Sequence, residues 1–431
     1  MKSLFRFFTR AQQPANAFAR RLRAAFDRLE LADRLWAVRA TSHRHPADRA
    51  PGEPSMLVVD TWVPTPDRDS GSLRMFNLMQ AAQRVGFRVS FVPHAVRPGD
   101  EPYFDALRLA GIRAPSRAEI VSPRHELRAH GRFYDVVLLS RADIAARYLD
   151  AARRNAPRAR LVYDTVDLHF VRERREAEMH NDRRALAASD RRRAQEIDLT
   201  RRADFVFAVS ASERDVLQQA CPEASILVVS NIHEPRPTAT PFEQRTDLLF
   251  LGGFRHPPNV DAVLFFAEQV WPSLAGDLAD ARFVVVGADP PQSIRSLASD
   301  RVLVTGHVQH LEPWLERARI SVAPLRYGAG VKGKINTSMS YGVPVVTTPV
   351  GAEGMELCHE RDVLIASDAS AFADEVRRLW SDQELWHKLV EGGLRSIERT
   401  FSFGAAEAAI RRIRAELHPA WSAETHTRIA T

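Results

Sequence analysis

The chain has 431 residues, 45% hydrophobic and 26% charged, ordinary proportions for a soluble globular protein of two or three domains at roughly 150 residues each. Its net charge of +6 is unevenly laid: residues 1–50 carry 11 Lys/Arg against 4 Asp/Glu, so the rest is close to neutral, which argues against nucleic acid as a partner. Only Cys221 and Cys358 are present, far apart, which gives no basis for a disulfide framework or a Cys-based zinc site and makes a reducing cytoplasm the expected location.

The start, MKSLFRFFTRAQQPANAFARR, lacks the apolar core of a secretory signal, and no apolar run reaches the about 18 residues of a membrane span. Phe18, Leu22, Phe26, Leu29 and Trp36 follow helical spacing with arginines between them. Two readings stay open for this basic extension over 1–54: peripheral association with the inner face of the cytoplasmic membrane, or packing against protein. The breaker-rich HRHPADRAPGEPS separates it from the first strand pattern.

Six apolar, β-branched runs then alternate with helical stretches: MLVVD (56–60), RVSFVP (88–93), DVVLLS (135–140), RLVYD (160–164), FVFAV (205–209) and ILVV (226–229). The first run is followed by Asp69-Ser70-Gly71-Ser72 and a helix over Leu73–Val85, while the charged segment 171–204 reads as a solvated helical hairpin. A linker, NIHEPRPTATPFEQ (231–244), interrupts the pattern. A second series follows: DLLFLG (247–252), RFVVVG (282–287), RVLVTG (301–306), ISVAP (320–324), PVVTT (344–348) and DVLIA (362–366), with helical patterns from about 369 to 416. Continuous apolar strands spaced by helices predict parallel sheets covered on both faces. The fold class is therefore α/β, with two doubly wound Rossmann-like domains at 55–235 and 236–400 and a C-terminal helix and tail at 401–431.

In such sheets ligands bind outside the carboxyl ends of the strands. After ISVAP comes GAGVKGKINTSMSYG (328–342), whose Gly328, Gly333 and Lys334 match the first half of a P-loop, but Ile335 stands where a magnesium-holding hydroxyl is required. Glycines at 328, 330 and 333, a helix beginning near Val331, and the cations Arg326, Lys332 and Lys334 instead suit a diphosphate.

At this point LLFLGGFRHPPNVDAVLFF, VTGHVQHLEPWLERARISVAPLRYGAGVKGKI and SYGVPVVTTPVGAEGM, in that order, resemble the nucleotide-sugar half of a GT-B glycosyltransferase of the group 1 (retaining) family. PTPDRDSGSLRMFNLMQ, VYDTVDLH and RRADFVFAVSASER resemble its acceptor-side domain more weakly. The resemblance implies transfer of a sugar from a nucleotide-diphosphate donor to a saccharide or lipid-linked acceptor, with retention, no cofactor and no obligatory metal. It also suggests a place in cell-surface polysaccharide assembly, such as O-antigen or capsule.

On this resemblance the donor diphosphate falls to Arg326, Gly328, Gly330, Lys332, Gly333, Lys334, Gly252 and Gly253, and the base to His307 and Val308 at a strand end. Relatives carry two glutamates about this loop, the second gripping the ribose; here the positions are Ala329 and Thr337, so Asn336, Thr337 and Glu353 become the candidates for the ribose and sugar. An Arg and a Lys of relatives are likewise replaced by Gly253 and by Pro258 or Asn259, leaving Arg255 as the nearby cation. In the first domain, Asp69, Gly71 and Ser72 form the loop facing donor and acceptor. Asp167 and His169 are the catalytic candidates, although relatives place the histidine directly before the aspartate; for His169 a purely structural role stays open. Asp67-Arg68-Asp69 looks like the D-x-D of metal-dependent GT-A transferases, but the two-domain pattern favours a helix-capping aspartate. No histidine pair has metal-ligand spacing, so no metal is expected. The missing glutamates motivate a second expectation, a catalytically inactive GT-B module within a glycan-assembly complex.

Overall fold

The computed structural model describes residues 53–115, 122–278, 280–328 and 330–417; the basic extension up to residue 52, Ala329 and the tail from 418 lie outside the described residues. All twelve apolar runs become strands. The first sheet holds β1 (Ser55–Asp60), β2 (Arg88–Pro93), β3 (Val136–Ser140), β4 (Arg160–Asp164), β5 (Phe205–Ala208) and β6 (Ile226–Val228) in the order β2-β1-β3-β4-β5-β6. The second holds β7 (Asp247–Leu251), β8 (Arg282–Val286), β9 (Val302–Gly306), β10 (Ala318–Ala323), β11 (Val345–Thr347) and β12 (Leu364–Ile365) in the order β12-β11-β10-β7-β8-β9. Every pairing is parallel, as between Met56 and Val136 or Leu248 and Phe283.

The reason is burial on both faces. Along β1, Met56 and Val58 enter one apolar cluster while Leu57 and Val59 enter another, so a strand with no polar face is the stable one. The order reverses between β1 and β3 in one sheet and between β7 and β10 in the other. At each switch point the loops diverge and leave a crevice at the carboxyl ends.

The helices that position the site are α1 (Ser70–Arg84), α2 (His169–Met179), α3 (Arg183–Arg202), α4 (Pro257–Phe265), α5 (Gly333–Ser340) and α6 (Phe403–Ala415). The α2–α3 pair is the expected hairpin, but it is not wholly solvated: α3 buries Ser189, Glu196, Ile197, Leu199 and Thr200. The chain crosses between domains twice, and the crossings pair, with His233 donating its N–H to Phe401 O at 2.6 Å. Beyond the return, α6 joins the first domain's core through Phe403, Ile410 and Ile413, and Arg84 lies 3.7 Å over the Phe403 ring.

Candidate active site

Two helix N-termini meet across the crevice. Asp69 caps α1, its Oδ1 accepting from Ser72 N at 2.8 Å and its Oδ2 from Ser72 Oγ at 2.7 Å, so the sequence-level capping assignment describes this carboxylate. Asp67 accepts from Tyr103 OH at 3.2 Å, and the two carboxylates of the D-x-D look-alike are thus engaged separately. Opposite, α5 begins at Gly333 with no side-chain cap, leaving the N–H groups of Gly333 and Lys334 without partners among the described residues. The approach is close: a Cβ at Gly333 would stand 2.4 Å from Ser70 Cβ, and one at Gly330 would stand 3.7 Å from Asp167 Cβ. Gly330 also has φ +70°, which a side chain would strain.

Lys332 and Lys334 flank that helix start. Lys332 is 8% exposed and Lys334 half-buried, yet no carboxylate bonds to either: Lys332 donates to Gly330 O at 2.7 Å, Lys334 to Asn259 Oδ1. Burial pushes Lys332 down to about 8, with Glu353 opposing. Burial and then the Lys332 charge push Lys334 down to about 7. Two ammonium groups held by neutral oxygens beside unpaired helix N–H groups form a site whose electrostatics are completed by an anion.

The structure redistributes several expected donor residues. Arg326 is committed to a bidentate pair with Asp261, so its charge is already answered. Gly252 gives its N–H to Val286 O at 3.0 Å, and Gly253 O accepts from Asn259 Nδ2 at 2.7 Å; together they shape the loop that steadies Lys334. Gly328, at φ +143°, turns the chain into the loop. Asn336 is fully buried and its Oδ1 accepts from Asn231 Nδ2 at 3.1 Å, joining α5 to the inter-domain crossing rather than facing the crevice. Glu353 pairs bidentately with Arg175 of α2, at 2.6 and 2.7 Å. Thr337 keeps its hydroxyl without a partner among the described residues, half-buried on the same helical stripe as Lys334, whereas the unpartnered Nδ2 of Asn336 is buried. His307 is exposed at the end of β9, 3.8 Å from Asp67 across the crevice, while Val308 packs on the cluster containing Leu249 and Val343.

The first domain contributes Asp167 and His169, and these do come together, with His169 Nε2 2.9 Å from Asp167 Oδ1. Arg172, on the next turn of α2, bonds the other carboxylate oxygen. Burial pushes Asp167 up, but the His169 hydrogen bond and the charges of His169, Arg172 and Arg141 outweigh it and hold the carboxyl below its ordinary value. The preceding Val166 has φ +63°, unusual for a β-branched residue, and Gly71 lies against it and Arg141. Behind the turn, Arg74 grips Asp164 bidentately at 2.7 and 2.9 Å and reaches Val229 O and Ser230 O, fixing the end of β4 to the end of β6.

Beside the first sheet's switch point is a cavity of ≈ 280 Å³ lined by Asp60, Trp62, Thr65, Asp69, Arg97 and Arg141. Burial pushes Asp60 up, against the Arg141 guanidinium bonded to it at 2.9 Å. Arg97 stacks 4.0 Å over Trp62. Arg172, Arg175 and this cavity were not singled out from sequence: the partner of Arg175 lies 178 residues away, and Arg172, although only five residues from Asp167, falls in a charged segment that reads as solvated. The i, i+3 spacing of the two arginines on α2 was the available signal.

Comparison with known proteins agrees with this architecture. Residues 245–382 match the family described as Glycosyl transferases group 1. A 44.6 kDa protein in the cps region of Klebsiella pneumoniae is 24% identical over 139 residues, 30% of this chain and only 36% of that protein's length. Anabaena Alr3699/HepE in complex with UDP-glucose superimposes with a TM-score of 0.63 at 13% identity, over 84% of this chain and all of that one. WaaG, a glycosyltransferase involved in lipopolysaccharide biosynthesis, does so at 0.54 and 13%, over 83% of this chain and 99% of its own. Residues 245–382 of the second domain thus match a group 1 glycosyl transferase domain, in a chain with the two-domain GT-B fold.

Proposed function

We propose that the chain is a retaining, metal-independent glycosyltransferase that moves a sugar from a nucleotide-diphosphate donor to a saccharide or lipid-linked acceptor. The observation that carries this reading is the pair of lysines, Lys332 buried and Lys334 half-buried, with no carboxylate bonded to them at the uncapped start of α5. Such a site offsets the charge that develops on a departing diphosphate without a cation of its own. Asp167, against Gly330, and His169, bonded to Asp167, are the residues we assign to the reacting sugar carbon. The anomeric C–O bond to the diphosphate breaks there, the acceptor hydroxyl oxygen bonds to that carbon, and its proton leaves with the diphosphate. The cavity at Trp62 and Arg141 receives the acceptor, an aromatic face and an Asp–Arg pair being suited to a sugar ring.

Assembly of a cell-surface polysaccharide is the context suggested by what the Klebsiella relative and WaaG are described as. Among the described residues no helix is long and apolar enough to cross a membrane. Residues 1–50 would supply the peripheral contact, and liposome flotation with and without them tests this; equal binding of both forms sinks it. The enzymatic reading is tested with UDP-, GDP-, ADP- and dTDP-sugars: hydrolysis or transfer with one of them, lost in Lys332→Ala and Lys334→Ala, is expected. No turnover with any donor, beside retained binding to a partner transferase, would favour the inactive module, a reading motivated by Thr337 where a glutamate was expected.

A further inference from the structure

His256 stands at the start of α4 with no hydrogen-bond partner for its imidazole among the described residues. The helix it introduces is unusual as an anion site. Pro257 and Pro258 carry no N–H, and Asn259 N is already given to His256 O at 3.0 Å, so the first turn of α4 has a positive dipole end but no donor to offer. This contrasts with α5, whose first two amides are unpartnered. His256 is exposed at that end of α4, whose first turn also carries Asn259, the acceptor of Lys334 Nζ.

Its surroundings come from both domains. Lys334 of α5 reaches the first turn of α4, its Nζ bonded to Asn259 Oδ1, and the charges of Lys334, Lys332, Arg172 and Asp167 act on the imidazole. Partial burial, then the charges of Lys334, Arg172 and Lys332, hold its pKa below the ordinary imidazole value, with Asp167 opposing. The ring is therefore largely neutral at pH 7, amid cations that await an anion. A polyanion seated on Lys332 and Lys334 reverses that field.

We propose that His256 is a ligand of the donor diphosphate that takes up a proton as the diphosphate binds, its imidazolium standing in for the amides that α4 lacks. The inference rests on the donor-site reading above and adds to it a residue and a proton. Binding and protonation are then linked, so the proton count is measurable.

The test is titration calorimetry of the full chain with UDP, GDP, ADP and dTDP, in two buffers of unlike ionisation enthalpy, at pH 6.0 and pH 8.0. At pH 6.0 the lysines are already charged, and the ligand's own phosphate titration is common to all variants. His256→Gln is expected to reduce net proton uptake at pH 6.0 and to weaken binding roughly 5- to 20-fold, leaving uptake at pH 8.0 unchanged. His256→Lys, a permanent cation there, is expected to restore affinity without the uptake. Tight binding with the same proton count in wild type and His256→Gln overturns the inference and leaves the donor site standing. Failure of all four diphosphates to bind the wild type overturns the donor site and this inference together.

Discussion

Gly333 and Ser70 bring the two domains into contact: a Cβ on Gly333 would lie 2.4 Å from the Ser70 Cβ, where each residue opens a helix facing the other. Gly333 has no left-handed φ, so alanine is conformationally acceptable there and the obstacle is steric alone. Gly333→Ala should therefore fold with little change in melting temperature but hold the crevice open, lowering transfer at least about tenfold. Ser70→Gly removes the opposing atom, and the double variant should recover most of the loss. A double-mutant cycle in kcat/KM reads this coupling; additive losses would show that the contact does not matter.

Lys332 and Lys334 set a pH dependence whose sign follows from their depressed values of about 8 and about 7. Below pH 7 both ammonium groups are charged before a donor arrives. Above it the protein must take up protons to bind the anion, so affinity should fall as pH rises from 7 to 9, by up to about tenfold per pH unit for each lysine involved. Lys334→Met should weaken binding by roughly a hundredfold near pH 7 and flatten this slope. Donor affinity measured at four pH values checks both, and an affinity that stays level from pH 7 to 9 would contradict the assignment.

The architecture was legible in the sequence because all twelve strands are apolar runs bounded by breakers, and burial on both faces leaves that pattern little choice. The glycine–lysine loop was legible too, since a helix start rich in Gly and Lys advertises anion chemistry locally. What escaped was helical phase and long-range pairing. Lys334, Thr337 and Tyr341 share one partly exposed stripe of α5 and its end, and Asn336, one residue off it, turns into the protein toward Asn231. Glu353 and Arg326 looked available because Arg175 and Asp261 lie 178 and 65 residues away. His256 reads as a loop histidine until Asp167 and Arg172 arrive from the other domain.

Asp167 is held ionised between His169 and Arg172 on a turn whose Val166 sits at φ +63°. Asp167→Asn keeps the shape but removes the charge that organises both partners. It should reduce turnover by about a hundredfold while leaving donor affinity within about threefold, because the diphosphate site proposed above is built on Lys332 and Lys334. His169→Ala should cost less, since Arg172 still orients the carboxylate. Steady-state kinetics with separate donor-binding measurements distinguish the two terms. Loss of donor binding equal to the loss of turnover would place Asp167 in the donor site instead.

Glu196 gives the last prediction, on stability rather than turnover. It is fully buried on α3, with neither carboxyl oxygen hydrogen-bonded among the described residues. Burial, then the charge of Asp167, push it up to about 8, against Arg192, with Glu173 and Glu213 adding to the rise. The folded chain thus holds this proton more tightly than the unfolded chain, whose glutamate titrates near 4.5. The stabilising contribution is complete below that value and is lost as pH rises toward 8, where the folded state must either keep a proton that the unfolded chain has given up or bury a charge. Glu196→Gln has nearly the same shape and no proton to lose. It should leave stability almost unchanged at pH 5 and raise it at pH 8 by on the order of 2–4 kcal/mol. Denaturant unfolding at the two pH values makes the comparison. Equal effects at both would mean that Glu196 titrates alike in the folded and unfolded chain.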